Sequence, residues 1–264
     1  GVNPNKVHGV IAEFVHAAEL ARDAGFDAVE LHMGHGYLLN QFISPLNNRR
    51  EDEYGGSAEN RVRFPARVLA AVKQAVGGTT AVLAKMNVAD GVRRGASVED
   101  GIVTAKALQT AGADMLVLSG GRNVESTWFM FGSRMNREEI SKVLKQQGDW
   151  LTSLMMKAAA SSEPDVQFRE MYFLEYSRRI REAVELPLAY LGGIKSLDNA
   201  EQVVAEGFDC VVLARALLHD PALINKFRSG ELRESGCDNC NGCVAYIYHP
   251  AGTRCVWHPP NDLA

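Results

Sequence analysis

The chain has 264 residues, of which 46% are hydrophobic and 23% charged, and a formal net charge of −4. This length allows one large domain or two small ones, and the composition is ordinary for a protein that folds in water. The slight acidity argues against a nucleic-acid surface or a polybasic membrane patch, and no apolar run approaches the roughly 20 residues that span a bilayer.

In chain order, the sequence alternates helical periodicity with short apolar runs. The chain begins at Gly1 without a secretory signal, and we expect its native start to be missing. Helices are predicted at 97–110, 136–146, 149–160, 168–184 and 196–205. Three more are predicted: one that ends at Gly25, one that is capped by Ser57 and one that starts at Asp220. Pro65 should kink the helix after Ser57 or mark its first turn. Buried strands are predicted at 26–31, 80–86, 114–118, 187–191 and 209–213.

Repeated β–α units with single buried strands predict an α/β fold with a parallel sheet. Five strands are too few for an eight-stranded barrel and correspond to about its second half, from strand 4 to strand 8. The first three strands would then be absent from this chain. Cys210, inside an apolar strand, is expected to be a core residue.

The connection after the third predicted strand, residues 122–170, is far longer than the usual βα loop of about 2–6 residues. Its aromatic and methionine residues include Trp128, Phe129, Phe131, Trp150, Met155 and Met156. They could form a lid over a ligand or an insertion packed on the barrel rim, and the sequence leaves both open.

The first predicted strand ends in three groups that can donate or relay protons. His32 closes the strand, and His35 and Tyr37 follow at once. Ligands and catalytic side chains gather at the carboxyl ends of strands in parallel α/β folds. We therefore expect an active site here.

Two later strands end in phosphate-binding patterns. Gly192-Gly193 and Ala214-Arg215 close successive strands and open successive helices. Backbone amides at a helix start bind phosphate, and an arginine adds a bidentate charge. Barrels commonly bind phosphate after strands seven and eight, although a Gly-Gly pair alone can simply be a tight turn.

Lys85 lies near the tip of the second predicted strand, among apolar residues. A lysine buried there needs a partner. The sequence leaves three alternatives: a salt bridge to a carboxylate, a cation facing a cofactor, or a Schiff-base lysine of an aldolase.

Four of the five cysteines cluster near the C-terminus with the spacing C-x2-C-x2-C-x11-C, formed by Cys237, Cys240, Cys243 and Cys255. An odd total with one tight cluster favours a reducing compartment, the cytosol, over a disulfide framework. An iron–sulfur cluster, zinc or unligated thiols would all fit this spacing.

A dense signature joins several of these residues. It consists of His32-Met33-Gly34-His35-Gly36-Tyr37-Leu38-Leu39, Gln41-Phe42-Ile43-Ser44-Pro45, Asn48-Arg49-Arg50, Asp52-Glu53-Tyr54-Gly55-Gly56-Ser57 and Glu59-Asn60-Arg61. Together with Leu191-Gly192-Gly193-Ile194 and Leu213-Ala214-Arg215, it resembles the Old Yellow Enzyme family of FMN-dependent oxidoreductases. The resemblance covers nearly the whole chain except 122–170.

The resemblance implies a (β/α)8 TIM barrel in which FMN lies at the carboxyl ends of the strands. His32 and His35 would hydrogen-bond the carbonyl oxygen of an electron-poor alkene, and Tyr37 would supply a proton. The flavin, reduced by NAD(P)H, would deliver the hydride. The family's flavin contacts would fall on Lys85, Gly192, Gly193, Ala214 and Arg215, although it usually has arginine in place of Lys85 and glycine in place of Ala214.

The cysteine segment is similar to the one that holds a [4Fe-4S] cluster in the dienoyl-CoA reductase and trimethylamine dehydrogenase branch of the family. We accordingly expect a partial FMN-binding barrel at 1–235, with an insertion at 122–170, and a Cys-rich segment at 236–264. The expected partner is a small-molecule substrate, with neither nucleic acid nor membrane. Family analogy suggests a homo-oligomer.

Two other functions fit parts of the sequence. A phosphate-binding aldolase or isomerase barrel would use Lys85 as its Schiff base. A non-catalytic fragment would bind only a metal, on the cysteines.

Overall fold

The computed structural model of the chain describes residues 4–159, 164–247, 249–250 and 252–258. The predicted helix end at residue 160 and the tail residues 259–264 lie outside this description, as does the Met156 side chain. Among the helices that are described, none is both long and apolar enough to cross a membrane.

The chain divides into two compact units, each built from three segments. The first unit comprises Gly1–Ser126, Phe173–Leu191 and Gly207–Cys210. The second unit comprises Thr127–Tyr172, Gly192–Glu206 and Val211–Ala264.

A parallel sheet organises the first unit. In chain order the strands are β1 (Ala28–Met33), β2 (Ala81–Asn87), β3 (Met115–Ser119), β4 (Leu188–Leu191) and β5 (Cys210–Val212), of which β5 has only Cys210 in the first unit. The order in the sheet follows the order in the chain, as expected of consecutive β–α units. The strand register sets His32 beside Lys85 and Asn87 beside Ser119, so the carboxyl ends of β1, β2 and β3 are aligned.

Five helices belong to the first unit: α1 (Pro4–Asp23), α2 (Leu38–Ile43), α3 (Ala58–Val76), α4 (Val98–Thr110) and α8 (Leu174–Arg181). Alternate residues of β2, namely Val82, Ala84 and Met86, are fully buried. This alternation gives the sheet one apolar face, and α3 and α4 both contact β2.

The remaining helices belong to the second unit: α5 (Thr127–Phe131), α6 (Arg137–Gln146), α7 (Trp150–Ala159), α9 (Leu197–Ala205), α10 (Arg215–His219), α11 (Leu223–Ser229) and a 3₁₀ helix (Gly242–Tyr246). Serine side chains cap several helices in the chain. Ser57 caps α3, Ser97 caps α4 in a capping box with Asp100, and Ser196 caps α9. Pro65 lies inside α3 rather than in its first turn.

Three sequence-based expectations are wrong in detail. The strand predicted at 26–31 begins at Ala28, and the Phe26 side chain before it is 62% exposed. Cys210 is exposed rather than in the core. The helix predicted at 168–184 is limited to α8, since Met171 has a left-handed φ of 59° and the Tyr172 N–H bonds the Gly192 carbonyl instead.

Candidate functional sites

The loop after β1 holds His35 in an unusual backbone conformation. His35 has a φ of 61°, in the left-handed region that most residues avoid. Its backbone N–H donates to Oδ1 of Asn87 over 3.1 Å. A Cβ atom at Gly34 would lie 2.6 Å from the same oxygen, so only glycine fits there without displacing Asn87.

The structure brings His32, His35 and Tyr37 together, as predicted. The rings of His32 and His35 meet edge to face with centroids 5.0 Å apart, and the Tyr37 ring lies 5.0 Å from His32. Tyr37 immediately precedes α2, and 47% of its side chain is exposed. The phenol therefore faces solvent, whereas the imidazoles are partly buried.

Both imidazoles are neutral at pH 7. Burial, followed by the nearby His32 and Lys85, lowers the pKa of His35 to about 3. Burial and then Lys85 also lower the pKa of His32, against the opposing effect of Glu30. Each ring consequently carries one proton and can donate one hydrogen bond from a nitrogen.

One buried nitrogen of these two rings lacks a partner among the described residues. Nδ1 of His32 is buried and has no hydrogen bond to any described residue. A buried polar atom left unpaired costs on the order of 1–3 kcal/mol. This atom therefore marks a point where a ligand can bind.

Lys85 forms the salt bridge that the sequence left as one alternative. Its Nζ lies 2.7 Å from Oε2 of Glu30, and 24% of the lysine side chain is exposed. The lysine therefore has the partner that its position requires, and its side chain is partly rather than fully buried. The cofactor and Schiff-base roles of Lys85 remain predictions.

Sequence reasoning missed the polar residues that hold the histidine loop. Ser119 Oγ lies 2.7 Å from Nε2 of His35, and Asn87 also donates to Asp90 and to the Gly121 carbonyl. Ser119 and Asn87 end β3 and β2, so the strand-end rule applied to His32 would have found them. Arg122, only 2% exposed, donates to Asn40, whose Oδ1 also accepts from the Gly36 N–H.

The predicted phosphate residues all lie at strand ends in the second unit. Gly193 has a φ of 79°, and a Cβ there would lie 2.5 Å from the Tyr172 ring, so glycine is required. Ala214 immediately precedes α10. Arg215 donates to Oδ1 of Asn241 and to the Phe131 carbonyl over 2.6 and 2.9 Å. A guanidinium has five N–H donors, so these bonds leave capacity for an anion.

A carboxylate that sequence reasoning did not single out lies at the start of α9. Oε2 of Glu170 accepts the backbone N–H groups of Lys195 and Ser196, at 2.7 and 2.9 Å, and the Ser196 hydroxyl at 3.1 Å. An anion at a helix N-terminus is electrostatically favourable. The helix that follows Gly192-Gly193 is therefore already paired with a negative charge.

Cys237, Cys240, Cys243 and Cys255 line one cleft of the second unit together with Arg215. All four thiols are free, and Cys255 Sγ lies 3.5 Å from Nδ1 of His219. Burial raises the pKa of Cys237 and Cys243, and raises that of Cys240 to about 11. Among the described residues, no group of three or more His, Cys, Asp or Glu side chains is arranged to hold a metal ion.

Comparison with known families agrees with this architecture. The model of the NADH:flavin oxidoreductase / NADH oxidase family matches residues 2–149, more than half of the chain. The dihydrouridine synthase model matches residues 166–244. The chain therefore belongs to the NADH:flavin oxidoreductase / NADH oxidase family, and the predicted family is confirmed.

Individual relatives are longer than this chain. It is 39% identical to the 4,4'-dithiodibutanoate disulfide reductase of Rhodococcus erythropolis over 97% of this chain and 62% of the relative. A 2-naphthoyl-CoA reductase structure matches 98% of this chain and 35% of its own, with a TM-score of 0.76 and 23% identity. An old yellow enzyme homologue from Zymomonas mobilis matches 96% and 59%, with a TM-score of 0.65 and 21% identity.

The chain thus spans less than two thirds of each of these proteins. The structural matches confirm the predicted fold class: an α/β chain with a parallel sheet that forms part of a barrel.

Proposed function

We propose that this chain is the FMN-binding part of an NAD(P)H-dependent reductase whose acceptor is an electron-poor alkene, such as an α,β-unsaturated carbonyl or an enoyl thioester. The observation that carries the proposal is the neutral imidazole pair beside an exposed phenol, with one imidazole nitrogen buried and unpaired. Membership of the flavin oxidoreductase family supports the cofactor.

The histidines would bind the acceptor through its carbonyl oxygen. As the alkene accepts a hydride, negative charge develops on that oxygen, and donors fixed beforehand in a low-dielectric site stabilise it. Neutral imidazoles suit this role because each ring can donate an N–H hydrogen bond to the oxygen without giving up its proton. Tyr37, which faces solvent, would protonate the alkene carbon next to the acceptor's carbonyl group and recover its proton from water.

FMN, when bound, supplies the hydride. Lys85, Gly192, Gly193, Ala214 and Arg215 would hold it, within an FMN-binding domain at 1–235 that carries the insertion at 122–170. The spare N–H donors of Arg215 fit an anionic cofactor, whereas the charge of Lys85 is paired with Glu30 in this structure. The Cys-rich segment at 236–264 would supply the metal ligands, and the five free thiols favour the cytosol.

The chemistry of the four cysteines fits a [4Fe-4S] cluster, although their described side chains are not arranged as a metal site in this structure. Thiolates are the usual ligands of such clusters, and all four residues line one cleft. Zinc is the second candidate, because it accepts the same donor set.

A disulfide is a second candidate acceptor, favoured by the 39% identity to a disulfide reductase. Reduction of a disulfide releases thiolates. The same imidazole donors could stabilise that developing charge, so the histidine geometry alone does not distinguish the two acceptors.

The experiment measures the two half-reactions separately by stopped flow. NADH or NADPH should bleach the flavin of the purified protein, and an enone should restore its absorption. Replacing Tyr37 with Phe should slow reoxidation by the enone about 10²–10⁴-fold, as is usual when a general acid is removed, and leave bleaching unchanged. Tyr54→Phe, which loses a buried hydroxyl bonded to Arg67, is the matched control.

A protein that retains no flavin would contradict the proposal as a whole. Reoxidation by 4,4'-dithiodibutanoate but not by any enone would instead assign the disulfide as the acceptor.

A further inference from the structure

Among the residues that the structure describes, the Ser119 side chain makes one hydrogen bond, and it is to the candidate active site. The residue ends β3 and is 1% exposed. Its Oγ lies 2.7 Å from Nε2 of His35, which is its only side-chain partner within the described part of the chain. Nδ1 of His35 has no hydrogen-bond partner among the same residues, so it is the nitrogen left for a ligand.

Both partners of this bond are attached to fixed backbone. Ser119 is paired with Asn87 in the sheet, and its carbonyl accepts the Val88 N–H over 2.6 Å. His35 donates its N–H to Asn87 and accepts the Asn123 N–H over 3.1 Å. These backbone hydrogen bonds therefore hold the Ser119 hydroxyl and the His35 imidazole beside each other.

The direction of the bond decides where the imidazole proton lies. If Nε2–H donated to Ser119, the buried hydroxyl would have no acceptor for its own proton, which is unfavourable. If the hydroxyl donates to Nε2, both groups are satisfied and the single ring proton lies on Nδ1. The second arrangement makes the free nitrogen of His35 a hydrogen-bond donor.

We propose that Ser119 is a positioning residue that donates to Nε2 of His35 and so fixes the imidazole proton on Nδ1, where it can bind an acceptor's oxygen. The inference deepens the proposed function and rests on it for the use of that proton. Burial, which lowers the pKa of His35 to about 3, supports it because the ring then has a single proton to place. The other tautomer would present a lone pair that repels a carbonyl oxygen.

The test reads the tautomer directly by ¹⁵N NMR of histidine-labelled protein, with His35→Asn identifying the signals. In the natural protein, Nδ1 of His35 should have the shift of a protonated nitrogen and Nε2 that of an unprotonated one. Ser119→Ala should move the proton towards Nε2, and Ser119→Thr, which keeps a hydroxyl, should restore the original pattern. Ser177→Ala, which removes another buried hydroxyl, should change nothing.

Enone-dependent flavin reoxidation should fall about 10- to 100-fold in Ser119→Ala and recover in Ser119→Thr, because one of two oxygen-binding donors is lost. Protonated Nε2 in the natural protein, or an unchanged tautomer in Ser119→Ala, would overturn the inference whatever the activity. Failure of the proposed function is a separate result, because it would appear as an absence of enone reduction in the natural protein, whatever the tautomer of His35.

Discussion

The histidine loop after β1 and the cysteine cleft differ in how far their side chains are arranged for binding before a ligand is present. In the loop, protein atoms already hold the imidazole of His35, through Ser119, and its backbone, through Asn87. In the cleft, the thiols of Cys237, Cys240 and Cys243 have raised pKa values and remain protonated at pH 7. The loop is formed before a ligand arrives, whereas a metal must displace the thiol protons as it binds.

The largest expected effect concerns the cleft. Replacing Cys237 and Cys240 together with Ser should abolish metal binding, since two of four soft ligands are lost. Iron, zinc and acid-labile sulfide per chain, with the visible absorption spectrum, measure the outcome. Cys210→Ser is the matched control, because Cys210 is exposed and lies outside the cleft.

Full metal content in the double variant would show that the cleft is not the metal site. A metal-free natural protein would remove the contrast between the two regions, because the cysteines would then be ordinary thiols, of which only Cys237 is buried.

A smaller effect is expected from His32→Leu. The substitution removes one of the two donors to the acceptor oxygen, and flavin reoxidation by an enone should slow about 10²–10³-fold, the usual effect of losing an oxyanion donor. Flavin reduction by NAD(P)H should be unaffected. His16→Leu, an exposed histidine on α1, provides the control. Equal losses in both half-reactions would instead indicate a disturbed fold.

The smallest expected effect is on stability against pH. The pKa of His35 is about 3 in the folded protein, below the ordinary 6.5, so between these values the unfolded chain holds a proton that the folded chain lacks. Stability from this residue is complete above pH 6.5 and is lost as the pH falls towards 3. At pH 5 the loss should be roughly 2 kcal/mol relative to pH 7.

Urea unfolding of the natural protein and of His35→Asn at pH 7 and 5 measures this loss. Asparagine tolerates the left-handed backbone at this position, so the variant removes the titration without adding strain. Identical pH dependence in both proteins would show that His35 is not held neutral by burial.

Local signals in the sequence predicted much of the fold. Serine caps, helical periodicity and short apolar runs placed most helices and strands, and the strand-end rule found His32, His35 and Tyr37. Ser119 and Asn87 were missed because they contact His35 from 84 and 52 residues away, which no local pattern encodes. The helix predicted at 168–184 was too long because its first backbone donors bond elsewhere, including Tyr172 to Gly192.

The Glu170 carboxylate at the start of α9 bears on phosphate binding. Because it belongs to the chain itself, it stays at a high effective concentration beside the Lys195 and Ser196 amides. An incoming phosphate at that helix start would meet like charge and would have to displace an intramolecular competitor. The Lys195 and Ser196 amides at the start of α9 therefore already bind an anion from the chain itself and are not free to bind another.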